Sequence, residues 1–325
     1  MKQIRVGPES AGSEPGPASY GRGGERPAVT DADLVLGKLD PEDFAGGAIP
    51  LDPNRAREAL LREVGAPLDM DALEAAWGVA EVVDENMANA ARVHAVENGE
   101  DLSGYTMIAF GGAAPLHAAR LCEKLGIDRC LIPEGAGVGS AIGFLKAPFS
   151  FEANRTVFMP LAAFDAGAVT ALFSEMEAEA RAFVRSCDAE AQIGTAHRVY
   201  MRYAGQGWDI PVDLSPDEVA APTAEAFLVA FESAYATLFD RTVEGMAVEV
   251  TVWSVNAFTT RAPDAAVPPV PVGGEAAAGT ARRIFDPALG REVGAAVVPR
   301  AKLLPGQRVA GPALITEDET TVVVP

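Results

Sequence analysis

Cysteine is scarce: 325 residues hold three, Cys122, Cys130 and Cys187, and none forms a CxxC pair. That spacing gives no disulfide framework and fits a reduced, cytoplasmic compartment. Positive charge is also short, with 26 Lys and Arg against 46 Asp and Glu and a formal net charge of −20. Nucleic acid and anionic membrane are therefore not expected as partners, because clustered Lys and Arg hold both. No run of about 18 apolar residues occurs, so no spanning helix is expected. The opening "MKQIRVGPESAG" is followed by no apolar stretch, so no signal peptide is expected either. His94, His117 and His197 form no H-x-E or HExxH spacing, which argues against a protein-only metal site. An acidic chain can still take a nucleotide, since backbone N–H groups at a helix start suffice.

What is present is a globular composition, 49% hydrophobic and 22% charged, long enough for one large or two ordinary domains. Residues 1–30 are dense in Gly, Pro and Ser. They read as a disordered tail or, if ordered, a glycine-rich loop lying against something else, with one possible strand at Gln3–Val6. "TDADLVLGKLD" opens a helical pattern with Thr30 or Asp31 as N-cap. "DPNRAREALLREVGAPLD" reads as a capped amphipathic helix. A long, mostly buried helix follows, carrying Leu73, Trp77, Ala80, Val83 and Met87 at three- and four-residue steps. Strand Thr106–Phe110, a glycine turn, helix Leu116–Leu125, strand Cys130–Ile132 and helix Gly137–Leu145 come next, an alternation that argues for parallel pairing.

Beyond Pro148 the character changes. Ala166–Ser186 is a charged amphipathic helix, "AHRVYMRYAGQGWDIPVDL" alternates like a turned pair of strands, and "VEVTVWSVNAFTT" is a β-branched strand. Tyr203, Gln206 and Trp208 fit plain strand packing or a partner surface. Residues 262–281 read as a linker or surface loop, and "GPALITEDETTVVVP" as two short strands around an acidic turn. The expected boundary lies near 150, with an α/β domain over 1–150 and a β-rich α+β domain over 151–325.

The densest signal is "MIAFGGAAPLHAARLCEKLGIDRCLIP" followed by "EGAGVGSAIGFL". A strand that ends in Gly111 and Gly112 and enters a helix leaves backbone N–H groups free, with no Cβ to block a planar ring. An ordinary tight strand-to-helix turn would use the same glycines. The order strand, Gly-Gly, helix, strand, Pro, small-residue helix resembles the adenosine motif and closing helix of the actin, sugar-kinase and heat-shock-chaperone ATPases. On that resemblance Gly111, Gly112, Ala113, Pro115, His117 and Gly137 are expected to bind the nucleotide. A branched side chain at Gly112 would then fill the ring's place. The glycines from Gly135 to Gly143 would allow a close helix crossing.

"VGPESAGSEPGPASYGRGGERPAVTDADLVLGKLDPEDFAGG", "AFGGAAPLHAARLCEKLGI", "RYAGQGWDIPV" and "GPALITEDETTVVVP" occur in that order. Together they resemble the hydantoinase A/oxoprolinase family, which includes hydantoinases, 5-oxoprolinases and the acetone and acetophenone carboxylases. The "DxGGTFTD"-like and "DMGGTS"-like phosphate loops of that family have no counterpart here. The resemblance therefore implies the C-terminal half of an actin-like ATPase domain followed by a β-rich domain. It implies ATP with Mg²⁺, a separate chain carrying the N-terminal phosphate-binding half, a second hydantoinase-B-like (HyuB-like) subunit, and a small cyclic amide or ketone as substrate. A non-catalytic assembly subunit is the alternative of a different class. Asp31 is either a helix cap or a catalytic acid facing the cleft, and His117 is either structural or catalytic. Apolar faces such as Leu73–Val83 and the glycine-spaced helix are expected at an interface.

Overall fold

The computed structural model describes residues 3–260, 270, 273–276 and 279–325, so most of the stretch 262–281 lies outside the described residues. The chain divides into two compact units, Met1–Leu145 with Pro268–Pro325, and Lys146–Val267. The sequence suggests one boundary near 150 with all of 151–325 in one domain. In the structure the C-terminal segment belongs instead with the first unit.

The first unit begins with an ordered glycine-rich loop, without a strand at residues 3–6, whose Ile4 and Val6 pack on the core. Helix α1 (Val29–Val35) is short because Gly37, at φ +77, turns the chain sharply after it. Helix α2 (Pro53–Leu60) starts where Asp52 accepts from the N–H groups of Asn54 and Arg55. A π turn at Leu61–Gly65 and the single turn α3 (Ala66–Leu68) lead to α4 (Ala72–Glu97). Asp71 and Glu74 close a capping box at the start of α4. Strand β1 (Met107–Ile108), helix α5 (Ala114–Leu125), strand β2 (Cys130–Leu131) and helix α6 (Gly139–Lys146) follow, and β1 pairs with β2 in parallel.

The apolar stripe of α4 faces α1 and α2, so most of Leu73–Val83 is packed rather than left at a surface. Exposed large apolar residues of this unit include Val93 and Val96 at the far end of α4, and Ile108, Phe110, Leu131, Phe144 and Leu145.

The second unit is antiparallel. Strands β3 (Ser150–Arg155), β4 (Met159–Pro160), β5 (Ile193–Tyr203), β6 (Ile210–Leu214) and β7 (Val248–Thr259) form one sheet in the order β3-β7-β5-β6, with β4 also on β7. Helices α7 (Ala166–Cys187), α8 (Pro216–Ala220) and α9 (Ala224–Phe239) complete it. Alternate residues of β5 and β6 join Phe173, Met176, Phe227 and Phe231 of α7 and α9 around Trp253. Tyr203 belongs to this core, whereas Trp208 is 80% exposed.

Strands β8 (Ala281–Asp286), β9 (Arg291–Pro299), β10 (Ala313–Thr316) and β11 (Thr321–Val324) form the last sheet, antiparallel except for β9 beside β10. This sheet explains the domain correction. The Phe285 N–H donates to the Leu36 carbonyl at 2.9 Å, and Arg282 pairs with Asp40. A Cβ on Gly37 would sit 2.2 Å from the Arg283 carbonyl oxygen, so only glycine allows β8 to close on the end of α1. Phe285 also packs against Trp77, with ring centroids 5.2 Å apart.

Candidate functional site

Helix α1 carries two aspartates two residues apart, which a 100° step per residue sends to nearly opposite sides. Asp31 is fully buried. One of its oxygens accepts from Ser19 N at 2.8 Å, and the other from Ala28 N at 2.7 Å and Ala18 N at 3.2 Å. The helix cap position is Ala28, and Asp31 reaches back to it from the third helical residue. Asp31 is thus neither the N-cap nor a cleft-facing acid. It fastens the glycine-rich loop to α1.

Asp33 faces the other way and lines a cavity of about 630 Å³. Its Oδ1 accepts from Lys38 Nζ at 2.9 Å, and its Oδ2 accepts from His117 Nε2 at 3.1 Å. His117 Nδ1 donates to Asp84 Oδ1 at 2.8 Å. All four side chains are at most 10% exposed. Their charges, two negative and two positive, balance. Burial alone would push the His117 pKa down, but the Asp33 charge and the hydrogen bonds to both carboxylates outweigh it and raise the pKa to about 9. Burial likewise acts to raise Asp33, yet the charges of Lys38 and His117 and their hydrogen bonds bring it down to about 2. At neutral pH an imidazolium is therefore held between two carboxylates.

Of the residues singled out in sequence, Gly112, Ala113 and Gly137 line the cavity, whereas Asp31, Gly111, Pro115 and His117 do not. His117 lies behind Asp33. Gly111, at φ +109, takes the left-handed conformation and donates to the Ala136 carbonyl at 2.6 Å, tying the two glycine turns together. Gly137 makes room for the chain's own C-terminal turn, which also comes close to Gly112. A Cβ on Gly137 would meet the Glu319 carbonyl oxygen at 2.7 Å, and one on Gly112 would meet the same atom at 3.4 Å. Thr320 Oγ1 donates to the Gly112 carbonyl at 2.8 Å. Within this chain, a Cβ on Gly139 would touch Phe110, and one on Gly143 would meet nothing within 4 Å.

The turn between β10 and β11 therefore lines the cavity, with Glu317, Asp318 and Glu319 in it, and Asp40, Asp43 and Phe44 belong to the lining as well. No Lys, Arg or His is among the described residues of the lining. Glu317 is paired with Arg300 at 2.9 Å. Among the described residues, no group of three or more His, Cys, Asp or Glu side chains is placed to hold a metal ion.

Sequence reasoning missed Asp33, Lys38, Asp84 and the C-terminal turn. Asp84 did carry a signal: it interrupts the buried stripe Ala76, Ala80, Ala88 of α4 at four-residue spacing, and a carboxylate there requires a partner. The C-terminal turn carried none, because its approach is a tertiary contact.

The hydantoinase/oxoprolinase description matches residues 1–153, and the description of that family's C-terminal domain matches residues 162–325. The chain belongs to the hydantoinase/oxoprolinase family. Relatives include a caprolactamase subunit alpha from Pseudomonas jessenii, 29% identical over 99% of this chain and 47% of the relative. The acetophenone carboxylase gamma subunit of Aromatoleum aromaticum is 30% identical over 99% of this chain and 46% of its own length. A nucleotide-free structure of acetone carboxylase, whose description specifies ATP-dependent acetone carboxylation, superimposes with a TM-score of 0.81 at 28% identity, covering 99% of this chain and 47% of that one. The chain thus spans about half the length of the relatives it matches. No helix among the described residues is long and apolar enough to cross a membrane.

Proposed function

We propose that this chain supplies one half of the active site of an ATP-dependent cyclic-amide hydrolase of hydantoinase type, working with a polypeptide that carries the phosphate-binding loops. The observation that carries this reading is the cavity itself. Its volume is that of small-molecule sites, about 300–1,000 Å³, and it is lined by two glycine turns, the C-terminal turn and Asp33 of the buried ion network. The fold assignment within this reading is the adenosine-side half of an actin-like ATPase.

The lining fits the uncharged end of a nucleotide. Carboxylates and backbone groups can accept from hydroxyl and N–H donors, and Phe44, Leu39 and Val138 supply apolar walls. It does not fit the phosphates, which repel carboxylates and find no cation here, so their charge must be met by residues outside this chain and by Mg²⁺. ATP, when bound, would supply the phosphoryl group that, on the amide oxygen, makes the amide carbon electrophilic toward water, with the ring nitrogen leaving as the ring opens. The chain's own residues bind and orient, with the glycine turns and the turn Glu317–Thr320 both lining the cavity.

A second reading, a subunit of a ketone carboxylase, has support in the acetone carboxylase superposition and the acetophenone carboxylase relative. The test is co-expression with a polypeptide bearing both phosphate loops and a hydantoinase-B-like subunit, followed by ATP hydrolysis assays. Turnover stimulated by hydantoins, 5-oxoproline or caprolactam is expected. Stimulation only by ketones with bicarbonate selects the carboxylase. No turnover with any of them, from an assembled complex, overturns both.

A further inference from the structure

Three of the buried ionic groups are remote from the cavity surface, and one is not. Lys38 and His117 hold Asp33 from one side, Asp84 holds His117 from behind, and Asp33 alone of the four lines the cavity. A buried ion network of this kind stabilises less than a well-packed apolar substitute. A group with a strongly shifted proton affinity, set beside a cavity by a specific charge partner, is a candidate for a functional position. The charges that face His117 are Asp33 on α1, Lys38 in the turn after it and Asp84 on α4.

We propose that Asp33 is the ligand-binding carboxylate of this cavity, accepting a hydrogen bond from a neutral hydroxyl or N–H donor, and that His117 and Asp84 are its positioning residues. This rests on the reading of the cavity as a ligand site. Each oxygen of a carboxylate has two lone pairs. Lys38 and His117 take one on each oxygen, which leaves acceptor capacity on a side chain that lines the cavity and is 2% exposed. The two cations fix the carboxylate plane, so the remaining acceptor directions are set before any ligand arrives. The same two cations keep Asp33 a poor base. Its role is to bind rather than to abstract a proton. A ribose hydroxyl and a cyclic-amide N–H present the same donor chemistry, and the probes below separate them.

Calorimetric titration of the full chain with adenosine, ATP and caprolactam provides the test, alongside NMR titration of the histidines. Wild type should bind at least one probe, and Asp33→Asn should weaken that probe tenfold or more. If ATP and adenosine bind and 2′-deoxyadenosine binds tenfold less tightly, the donor is the sugar hydroxyl. If caprolactam binds and its N-methyl derivative does not, the donor is the amide. Asp84→Asn does not touch the cavity and keeps the side-chain shape. It should lower the His117 proton affinity and make binding fall between pH 7 and 8, a range in which the wild type stays constant. Binding by wild type that is unchanged in both variants would overturn the role of Asp33 and leave the cavity reading intact. Failure of wild type to bind any probe would overturn the cavity reading and this inference together. A His117 ring that titrates near its ordinary value in wild type would sink the positioning role regardless of ligand.

Discussion

Two histidines are buried to similar extents, one in each unit, and their surroundings push them in opposite directions. His117 is 3% exposed and lies between two carboxylates, and its pKa rises to about 9. His197, on β5, is 8% exposed and packs edge-on against Phe173 with ring centroids 5.0 Å apart. Its Nε2 is 3.6 Å from Glu177, too far for a hydrogen bond, so burial dominates and the pKa falls. Burial disfavours the charged form in both, and only a bonded, opposite charge reverses the sign. The contrast extends to the units themselves. The second is organised around large apolar side chains such as Trp253, Phe227 and Phe231, all fully buried. The first has a core of Ala, Leu and Val into which Asp31, Asp33, Lys38, Asp84 and His117 are also buried.

The largest effect should come from the apolar unit. Trp253 is fully buried, and its Nε1 donates to the Val157 carbonyl at 2.8 Å. Trp253→Ala should destabilise the second unit by about 3–5 kcal/mol, measured by denaturant unfolding, with ligand affinity of the first unit retained in the folded protein. In the polar unit, Asp31→Ala strands three backbone N–H donors and should cost about 3 kcal/mol. Hydrogen exchange should report it as lost protection at Ala18, Ser19 and Ala28, and retained protection there would break the fastening role.

The pH dependence of stability should separate the two histidines. His117 has a folded pKa above its unfolded value of about 6.5, so its contribution is complete below pH 6.5 and is lost as pH rises through about 9. For His197 the folded pKa is lowered, so its contribution is present above about pH 6.5 and is lost as pH falls below that. The effect at His117 should be on the order of 3 kcal/mol. His117→Gln should flatten the alkaline limb and His197→Gln the acid limb, each measured from the unfolding midpoint against pH. A single variant that flattened both limbs would break the comparison.

Two glycine substitutions sharpen it at smaller scale. Gly137→Ala drives a Cβ into the Glu319 backbone and should cost about 1–3 kcal/mol, with weaker cavity binding. Gly143→Ala lies in α6 with nothing within 4 Å of the new Cβ and should stabilise by roughly 0.5–1 kcal/mol. Equal effects from the two, in thermal unfolding, would mean that the C-terminal turn is not seated on Gly137.

The sequence by itself determined the elements and the family. Period and capping chemistry are local, so α2, α4, α7, β5 and β7 were legible from the capped start at Asp52, the apolar steps of α4, the charged amphipathic stretch of α7 and the alternation around Val199 and Trp253. The strand, Gly-Gly, helix order also led to Gly112, Ala113 and Gly137, which do line the cavity. Only the tertiary structure decided which aspartate of "TDAD" faces that cavity. Asp31 and Asp33 are equivalent in local chemistry, and their partners, Ser19 for one and His117 for the other, are 12 and 84 residues away. It also decided that the C-terminal turn forms a wall beside glycines some two hundred residues earlier, through the 208-residue separation of Thr320 and Gly112. Such contacts join segments far apart in the chain through tertiary packing, and no periodicity along the chain encodes them.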